Sequence, residues 1–305
     1  MARIGLIGHG AWGQYILRDL LSLKAEVLVA DISEESRKRA KENGAVGIFP
    51  TIDSLPPCDG YVVAVPIPQL TPVSAVLLKR KKPLFCEKTL LLSENDFQLL
   101  KDLGGEEFIF AMHKWHYHPG IEALRIVAES MRIGEIQQVS TFRHHWVKDF
   151  HGGDVFWTQG VHDLTIVKHI LGYIPEKIST VKIVRNRDDL PVGFNAMIGD
   201  IPYVSLSVSG AHCYKRSGVT IHGDKGSAGL HDSYDDHILI RDINGDEKIP
   251  IDTTFPLFLE LKEFVEYLNG GSTPKCGLKE AWEVTRSLIN LRKEAGIPTK
   301  EKEIV

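Results

Sequence analysis

Cysteine is scarce and scattered. The chain's 305 residues hold four, Cys58, Cys86, Cys213 and Cys276, with no C-x-x-C pair, so neither a disulfide framework nor a zinc knuckle is indicated. Long apolar runs are missing as well. The N-terminal stretch Ile4-Gly5-Leu6-Ile7 is far shorter than the ~20 residues of a spanning helix, and glycines follow it where a leader would carry a small-residue cleavage site. The expectation is a soluble, cytoplasmic protein in a reducing compartment, without a membrane partner. Neither sign of charge dominates. Lys plus Arg number 36 against 40 Asp plus Glu, a formal net charge of -4, and no half of the chain is basic, which excludes nucleic-acid binding by bulk electrostatics. The single basic run, Lys79-Arg80-Lys81-Lys82, reads as the solvated end of a helix. Repeats, low-complexity segments and long linkers are absent.

What is present is ordinary in amount and informative by position. A hydrophobic share of 43% over 305 residues supplies cores for about two domains. Short apolar runs at 3–7, 26–30, 61–65, 83–86 and 108–112 alternate with helical patterns at 12–24, 33–43, 73–82 and 95–103. Continuous apolar strands between helices predict a parallel sheet covered on both faces. Beyond residue 119 the grammar changes. A helix at 119–131 precedes period-two runs at 136–146, 178–185, 202–210, 218–223 and 237–243, interrupted by a helix at 160–171 and closed by helices at 257–268 and 278–293. One apolar and one polar face per strand predicts an open-faced, mostly antiparallel sheet. The expected fold class is therefore α/β: an N-terminal Rossmann dinucleotide-binding domain over 1–118, then a C-terminal α+β domain over 119–305.

Gly8-His9-Gly10-Ala11-Trp12-Gly13 is a G-x-G-x-x-G turn between the first strand and the first helix, and Asp31 ends the next strand. That context makes it a dinucleotide fingerprint. Gly8 permits the tight turn, Gly10 lets the backbone approach a pyrophosphate, and Gly13 allows close helix packing. The helix N-terminus then offers amides and a positive dipole end. Asp31 accepts hydrogen bonds from a ribose 2′-hydroxyl, favouring NAD while leaving NADP open; Arg37 and Arg39 read as solvated helix-face residues.

Glu87 and Lys88 end the fourth buried run, where ligands of open α/β sheets bind. With these residues in place, the sequence resembles the glucose–fructose oxidoreductase / inositol dehydrogenase / rhizopine-catabolism family of NAD(P)-dependent oxidoreductases. The resemblance rests on the Gly8/Gly10/Gly13 turn, Val65-Pro66, Glu87-Lys88, Gly160-Val161-His162 and the helix running from Phe255-Pro256-Leu257 to Gly270. It implies a Lys88 beside the nicotinamide and the substrate hydroxyl, where desolvation and neighbouring positive charge suit proton transfer. Lys88 and His162 are then the catalytic candidates. Gly8, His9, Gly10, Ala11, Trp12, Gly13, Asp31, Val65, Pro66, Glu87 and Lys88 hold the cofactor. Trp115, His116, Trp157 and Thr158 face a sugar, sugar derivative or cyclic polyol, and the C-terminal sheet joins a homodimer or homotetramer.

Two departures stand out. Thr89 replaces the family's proline after the lysine, and Thr158 stands where the family has an aspartate, so Thr158 orients substrate but is no general base. Asp163 adjoins His162, yet neighbours on a helix do not share a face. His113, His116, His118, His144, His145 and His151 match no zinc spacing, and no metal is expected. Two further readings stay open: a reductase of a non-sugar substrate, like the biliverdin reductases, and an NAD(P)-binding regulator that has lost catalysis.

Overall fold

The structure is a computed structural model and describes residues 1–150 and 152–298; His151 lies outside the described residues. The chain divides into two compact units. One combines Met1–Lys114 with Phe255–Trp282; the other combines Trp115–Thr254 with the residues from Glu283 onward.

The first unit is a six-stranded parallel sheet in the order β3-β2-β1-β4-β5-β6, made of β1 (Arg3–Ile7), β2 (Glu26–Ala30), β3 (Gly47–Phe49), β4 (Gly60–Val63), β5 (Leu84–Cys86) and β6 (Ile109–Ala111). Its connecting helices are α1 (Gly13–Ser22), α2 (Glu34–Glu42), α3 (Ile67–Leu78), α4 (Glu94–Asp102) and the short α5 (Gly105–Phe108). The strand order reverses next to β1, placing the β1–α1 turn at the switch point where such sheets take ligands. Caps are local: the hydroxyls of Ser33 and Ser93 accept from Ser36 N and Asp96 N at the starts of α2 and α4. Helix α3 begins before the expected residue 73. Pro68 sits in its first turn, where a missing N–H costs nothing, and the helix runs on through Pro72.

The boundary expected at 118/119 is not where the chain divides, and the helix Pro256–Leu268 does not belong with the C-terminal sheet. Leu257, Leu261, Phe264 and Val265 join the first unit's core with Ile4, Leu6, Val27, Val29, Val62 and Phe85, and Phe264 stacks on Phe85 with ring centroids 4.9 Å apart. Each such fully buried side chain stabilises by about 1.5–3 kcal/mol. Arg80 is no solvated lysine-patch neighbour either. Its guanidinium donates to the carbonyls of Leu55 and Ile52 and to the Tyr61 hydroxyl at 3.0, 2.6 and 3.0 Å, pinning the loop before β4.

The second unit is an eight-stranded sheet in the order β14-β13-β12-β11-β7-β10-β9-β8. Strand β7 spans Ile136–Trp146, β8 Ile178–Arg185, β9 Pro191–Ile198, β10 Tyr203–Ser209, β11 Ala211–Gly223, β12 Gly226–Leu230, β13 His237–Asp242 and β14 Gly245–Pro250. All its pairs are antiparallel except β7 with β10. Period-two burial holds: Val204, Leu206 and Val208 point inward, as do Phe194, Ala196 and Ile198, and Ile238 and Ile240. The helices α6 (Pro119–Glu129) and α7 (Val161–Leu171) belong to this unit, and α7 follows a π-helical turn, Phe156–Gly160. Among the described residues, no helix is long and apolar enough to cross a membrane.

Candidate active site

In the first unit the glycine turn is built as the spacing requires. Gly8 has φ +93, a left-handed conformation, and a Cβ there would lie 2.5 Å from the Ala64 carbonyl oxygen. A Cβ on Gly13 would lie 2.3 Å from the Gly8 carbonyl oxygen, whereas one on Gly10 meets nothing within 4 Å. The turn is closed where it packs and open where a pyrophosphate would approach. Helix α1 starts at Trp12 with no side-chain cap, so its first amides suit an anion. Ala11 is exposed, and Val65 lies beside Gly8 just before Pro66, the residue that leads into α3.

Asp31 is held at the adjacent strand end. Its Oδ2 accepts from His9 N at 2.7 Å and its Oδ1 from Ser33 N at 2.8 Å. Each carboxylate oxygen can accept more than one hydrogen bond, so capacity for ribose hydroxyls remains. His9 therefore supports the site indirectly. Its amide orients Asp31, while its ring is fully buried with Nδ1 3.1 Å from the Ser36 carbonyl, and burial pushes its pKa down, favouring the neutral ring. Arg37 is not a solvated residue: Nη1 donates to the carbonyls of Asp31 and Ile32 at 2.7 and 3.0 Å. Arg39 pairs with Glu35 and with the Ser36 hydroxyl.

Glu87 links two of the expected cofactor segments. It is 9% exposed, accepts from Lys88 N at 3.0 Å and from the Trp12 indole, and lies near Lys114. The Lys114 ammonium stands 5.0 Å over the Trp12 ring. Burial raises the Glu87 carboxyl above its usual value, against the pull of Lys88 and Lys114. Glu260, on the helix Pro256–Leu268, is 1% exposed, and its Oε2 has no hydrogen-bond partner among the described residues. Its carboxyl is raised well above the usual range, first by burial and then by the charge of Glu87. The peptide bond between Lys88 and Thr89 is cis.

In the second unit, Trp115 is flanked by His118, stacked at 5.1 Å, by His162, edge-on at 6.2 Å, and by the Arg143 guanidinium, 4.4 Å from the ring centroid. Asp163 is turned away from its neighbour His162, as helix geometry requires. It is fully buried and accepts from Arg143 Nε at 2.8 Å. His116 belongs to a relay: its Nδ1 is 2.9 Å from His169 Nδ1, and His169 Nε2 is 2.8 Å from Glu122 Oε2. The Glu122 carboxyl is held at about 2, chiefly by Arg125. An ionised Glu122 accepts from His169 Nε2, and of the two facing Nδ1 atoms of His116 and His169 one donates and the other accepts.

Thr158 and Trp157 make contacts within their own unit. The Thr158 hydroxyl donates to the Asp154 carbonyl at 2.8 Å. Asp154 Oδ1 accepts from Phe156 N and Trp157 N, Oδ2 pairs with Arg292, and the Arg292 guanidinium lies 4.9 Å from the Trp157 ring. Thr158 and Trp157 thus belong to a buried network that holds the π-helical turn ahead of His162. Reading residue by residue missed this network and Arg143. Their one sequence signal is charged residues in segments that otherwise read as buried.

No protein-family model matches the chain. The solved structure of an oxidoreductase from Agrobacterium radiobacter, in complex with NAD+, L-tartaric acid and magnesium, superposes with a TM-score of 0.84 at 15% identity, covering 97% of this chain and 96% of that one. The chain has the fold of the glucose–fructose oxidoreductase / inositol dehydrogenase family. A UDP-N-acetylglucosamine 3-dehydrogenase from Acidithiobacillus ferrooxidans aligns over 96% of this chain and 97% of its own at 18% identity and TM-score 0.82. A 3-ketoreductase from Actinomadura kijaniata, in complex with TDP-benzene and NADP, does so at 18% identity and TM-score 0.83, again over 96% and 97%. Among curated proteins, 2,7-anhydro-N-acetylneuraminate hydratase of Escherichia coli (strain K12) is 26% identical over 200 residues, 59% of this chain and 52% of that enzyme. The match thus spans about half the length of that relative.

Proposed function

We propose that the protein is an NAD(P)-dependent oxidoreductase of this family, acting at a carbinol or carbonyl carbon of a sugar, sugar derivative or polyol. The carrying observation is the glycine turn of the first unit, closed at Gly8 and Gly13, open at Gly10, with Asp31 fixed at the next strand end. Those residues fit a dinucleotide: α1 amides for the pyrophosphate, Asp31 for the adenosine ribose, Val65 and Pro66 along the cofactor, Glu87 and Lys88 toward its reactive end. Bound there, the nicotinamide supplies two-electron redox chemistry. Asp31 favours NAD by repelling a 2′-phosphate. Lys88 and His162 are the proton-transfer candidates, Lys88 donating to or receiving from the substrate oxygen and His162 orienting it or sharing the proton. Neighbours of the same fold are described with NAD+ or NADP, and one as a UDP-N-acetylglucosamine 3-dehydrogenase, which supports this reading. A cytoplasmic location and a homodimer or homotetramer through the eight-stranded sheet complete the proposal. The half-buried side chains Ser140, Ser205, Ser207 and Thr220, at neighbouring register positions of that sheet, support a second copy there, checked by sedimentation.

The test is NADH titration followed by fluorescence, then turnover across sugars, polyols and keto sugars. Binding plus turnover that falls at least about a hundredfold in Lys88→Ala and His162→Ala supports the assignment; turnover unchanged in both variants refutes it. The regulator reading is favoured by one observation, the Thr158 hydroxyl committed to the Asp154 carbonyl. Tight NADH binding with no turnover of any panel member would select it.

A further inference from the structure

Strand β7 points Val139, Thr141 and Arg143 inward, and all three are buried. An arginine at an inward strand position is rare, because its charge must be compensated away from water. Arg143 is 7% exposed, yet its compensation is partial. Asp163 takes only the Nε edge, at 2.8 Å. Among the described residues Nη1 and Nη2 make no hydrogen bond to the protein, and neither is sealed from solvent. The guanidinium carbon also lies over the Trp115 ring, 4.4 Å from its centroid.

The Trp115 ring on which Arg143 packs also stacks with His118 at 5.1 Å and meets His162 edge-on at 6.2 Å. His145 is also close enough for Arg143 to lower its pKa, second to burial. Asp163, the one acid that pairs with it among the described residues, is already bound to Nε. A fixed planar fork with two parallel N–H groups matches a carboxylate in bidentate geometry. Arg143 shares the Trp115 ring with His162, the residue proposed to meet the substrate.

We infer that Arg143 is a specificity-determining residue that binds a substrate carboxylate, so the substrate is a sugar acid or hydroxy acid and not a neutral polyol. This rests on the proposed function through the role given to His162.

The experiment compares calorimetric binding of acid and neutral partners to the full-length protein with NAD+ present: D-glucuronate with D-glucose, D-galacturonate with D-galactose, and D-gluconate with sorbitol. D-Glucose 6-phosphate is a separate arm. At least one acid is expected to bind about tenfold or more tightly than its neutral partner. Arg143→Lys keeps the charge and loses the fork, and should abolish most of that preference. Because removing Arg143 alone strands Asp163, the double variant Arg143→Met/Asp163→Asn is measured beside it and should bind both members of each pair equally. Equal binding of every pair by the wild type, no binding of any acid, or a preference unchanged in both variants overturns the inference. So does glucose 6-phosphate binding more tightly than every carboxylate. The two failures separate cleanly. NADH binding with turnover of neutral sugars sinks only the carboxylate, whereas loss of NADH binding itself sinks the proposed function.

Discussion

Substituting the glycines at 10 and 13 separates cofactor binding from folding, because the two positions differ in what a methyl group would meet. At Gly10 a Cβ finds no atom within 4 Å, and its φ lies outside the left-handed region. Gly10→Ala should therefore leave stability unchanged or raise it by the about 0.4–1 kcal/mol that Gly→Ala gives at a compatible site. The same methyl stands where a pyrophosphate must approach. Displacing one charge-assisted hydrogen bond from a backbone amide loses about 1.5–3 kcal/mol, so the NADH dissociation constant should rise about tenfold to a hundredfold. At Gly13 the Cβ would lie 2.3 Å from the Gly8 carbonyl oxygen, and backbone cannot swing aside as a side chain can. Gly13→Ala should cost about 1–3 kcal/mol by overpacking, lowering the unfolding midpoint by several degrees. Calorimetric unfolding and NADH fluorescence titration on both variants check the contrast. Wild-type affinity in Gly10→Ala refutes the cofactor assignment of this turn. Wild-type stability in Gly13→Ala refutes the packing argument.

Glu260 is a buried carboxyl raised above its unfolded value, so its stabilising proton is present below pH ~4.5 and lost as pH rises through the folded pKa. Between those limits stability falls by about 1.4 kcal/mol per pH unit, and Glu260→Gln should flatten the slope in urea unfolding measured at successive pH values. An unchanged slope counts against it. Glu122 has the opposite sign: depressed to about 2, it contributes above pH ~4.5 and is lost as pH falls toward 2, so Glu122→Gln should lessen the acid sensitivity of the wild type. The same variant no longer forces His169 to donate, which an NMR tautomer assignment of His116 and His169 would register. Thr158→Val should lose about 1 kcal/mol with the hydroxyl bond to Asp154 and leave kcat within about twofold; a large fall in kcat would return Thr158 to the substrate. Arg292→Met leaves Asp154 buried and unpaired and should destabilise by about 3–5 kcal/mol, with Arg292→Met/Asp154→Asn recovering much of it.

What the sequence made legible was what backbone geometry demands. Gly8, Gly13 and Asp31 are fixed by a turn that permits few alternatives, and apolar runs of four or five residues between helices leave little choice but a parallel sheet. Elements were lost where composition dilutes the pattern. Strand β9 is buried throughout Pro191–Phe194 and alternates only from there, with Ala196 and Ile198 buried and Asn195 and Met197 exposed, so no period-two run stands out. Pro66 and Pro68 read as stops, although a proline in a first turn gives up no intrahelical bond. The helix Pro256–Leu268 was legible as a helix and not as part of the first unit, since amphipathicity gives a helix an apolar face without naming the core that takes it.

The side-chain site was lost for a related reason. His162 is read as a candidate from its local motif, but Arg143 and Asp163 are separated by 20 positions and meet only because α7 packs against β7. Spacing along one element cannot reveal a pair formed across two. A trace remained in the register: in β7 the inward sequence is valine, threonine, arginine, and an inward arginine is tolerated only if something neutralises it. Asp163 does so through one N–H, Nε, which leaves Nη1 and Nη2 without a hydrogen bond among the described residues, whereas a bidentate pair uses two parallel N–H groups. The edge left open is therefore better explained by a second anion than by stability. The Trp115 ring, which both Arg143 and His162 contact, is what ties that proposed second anion to the substrate.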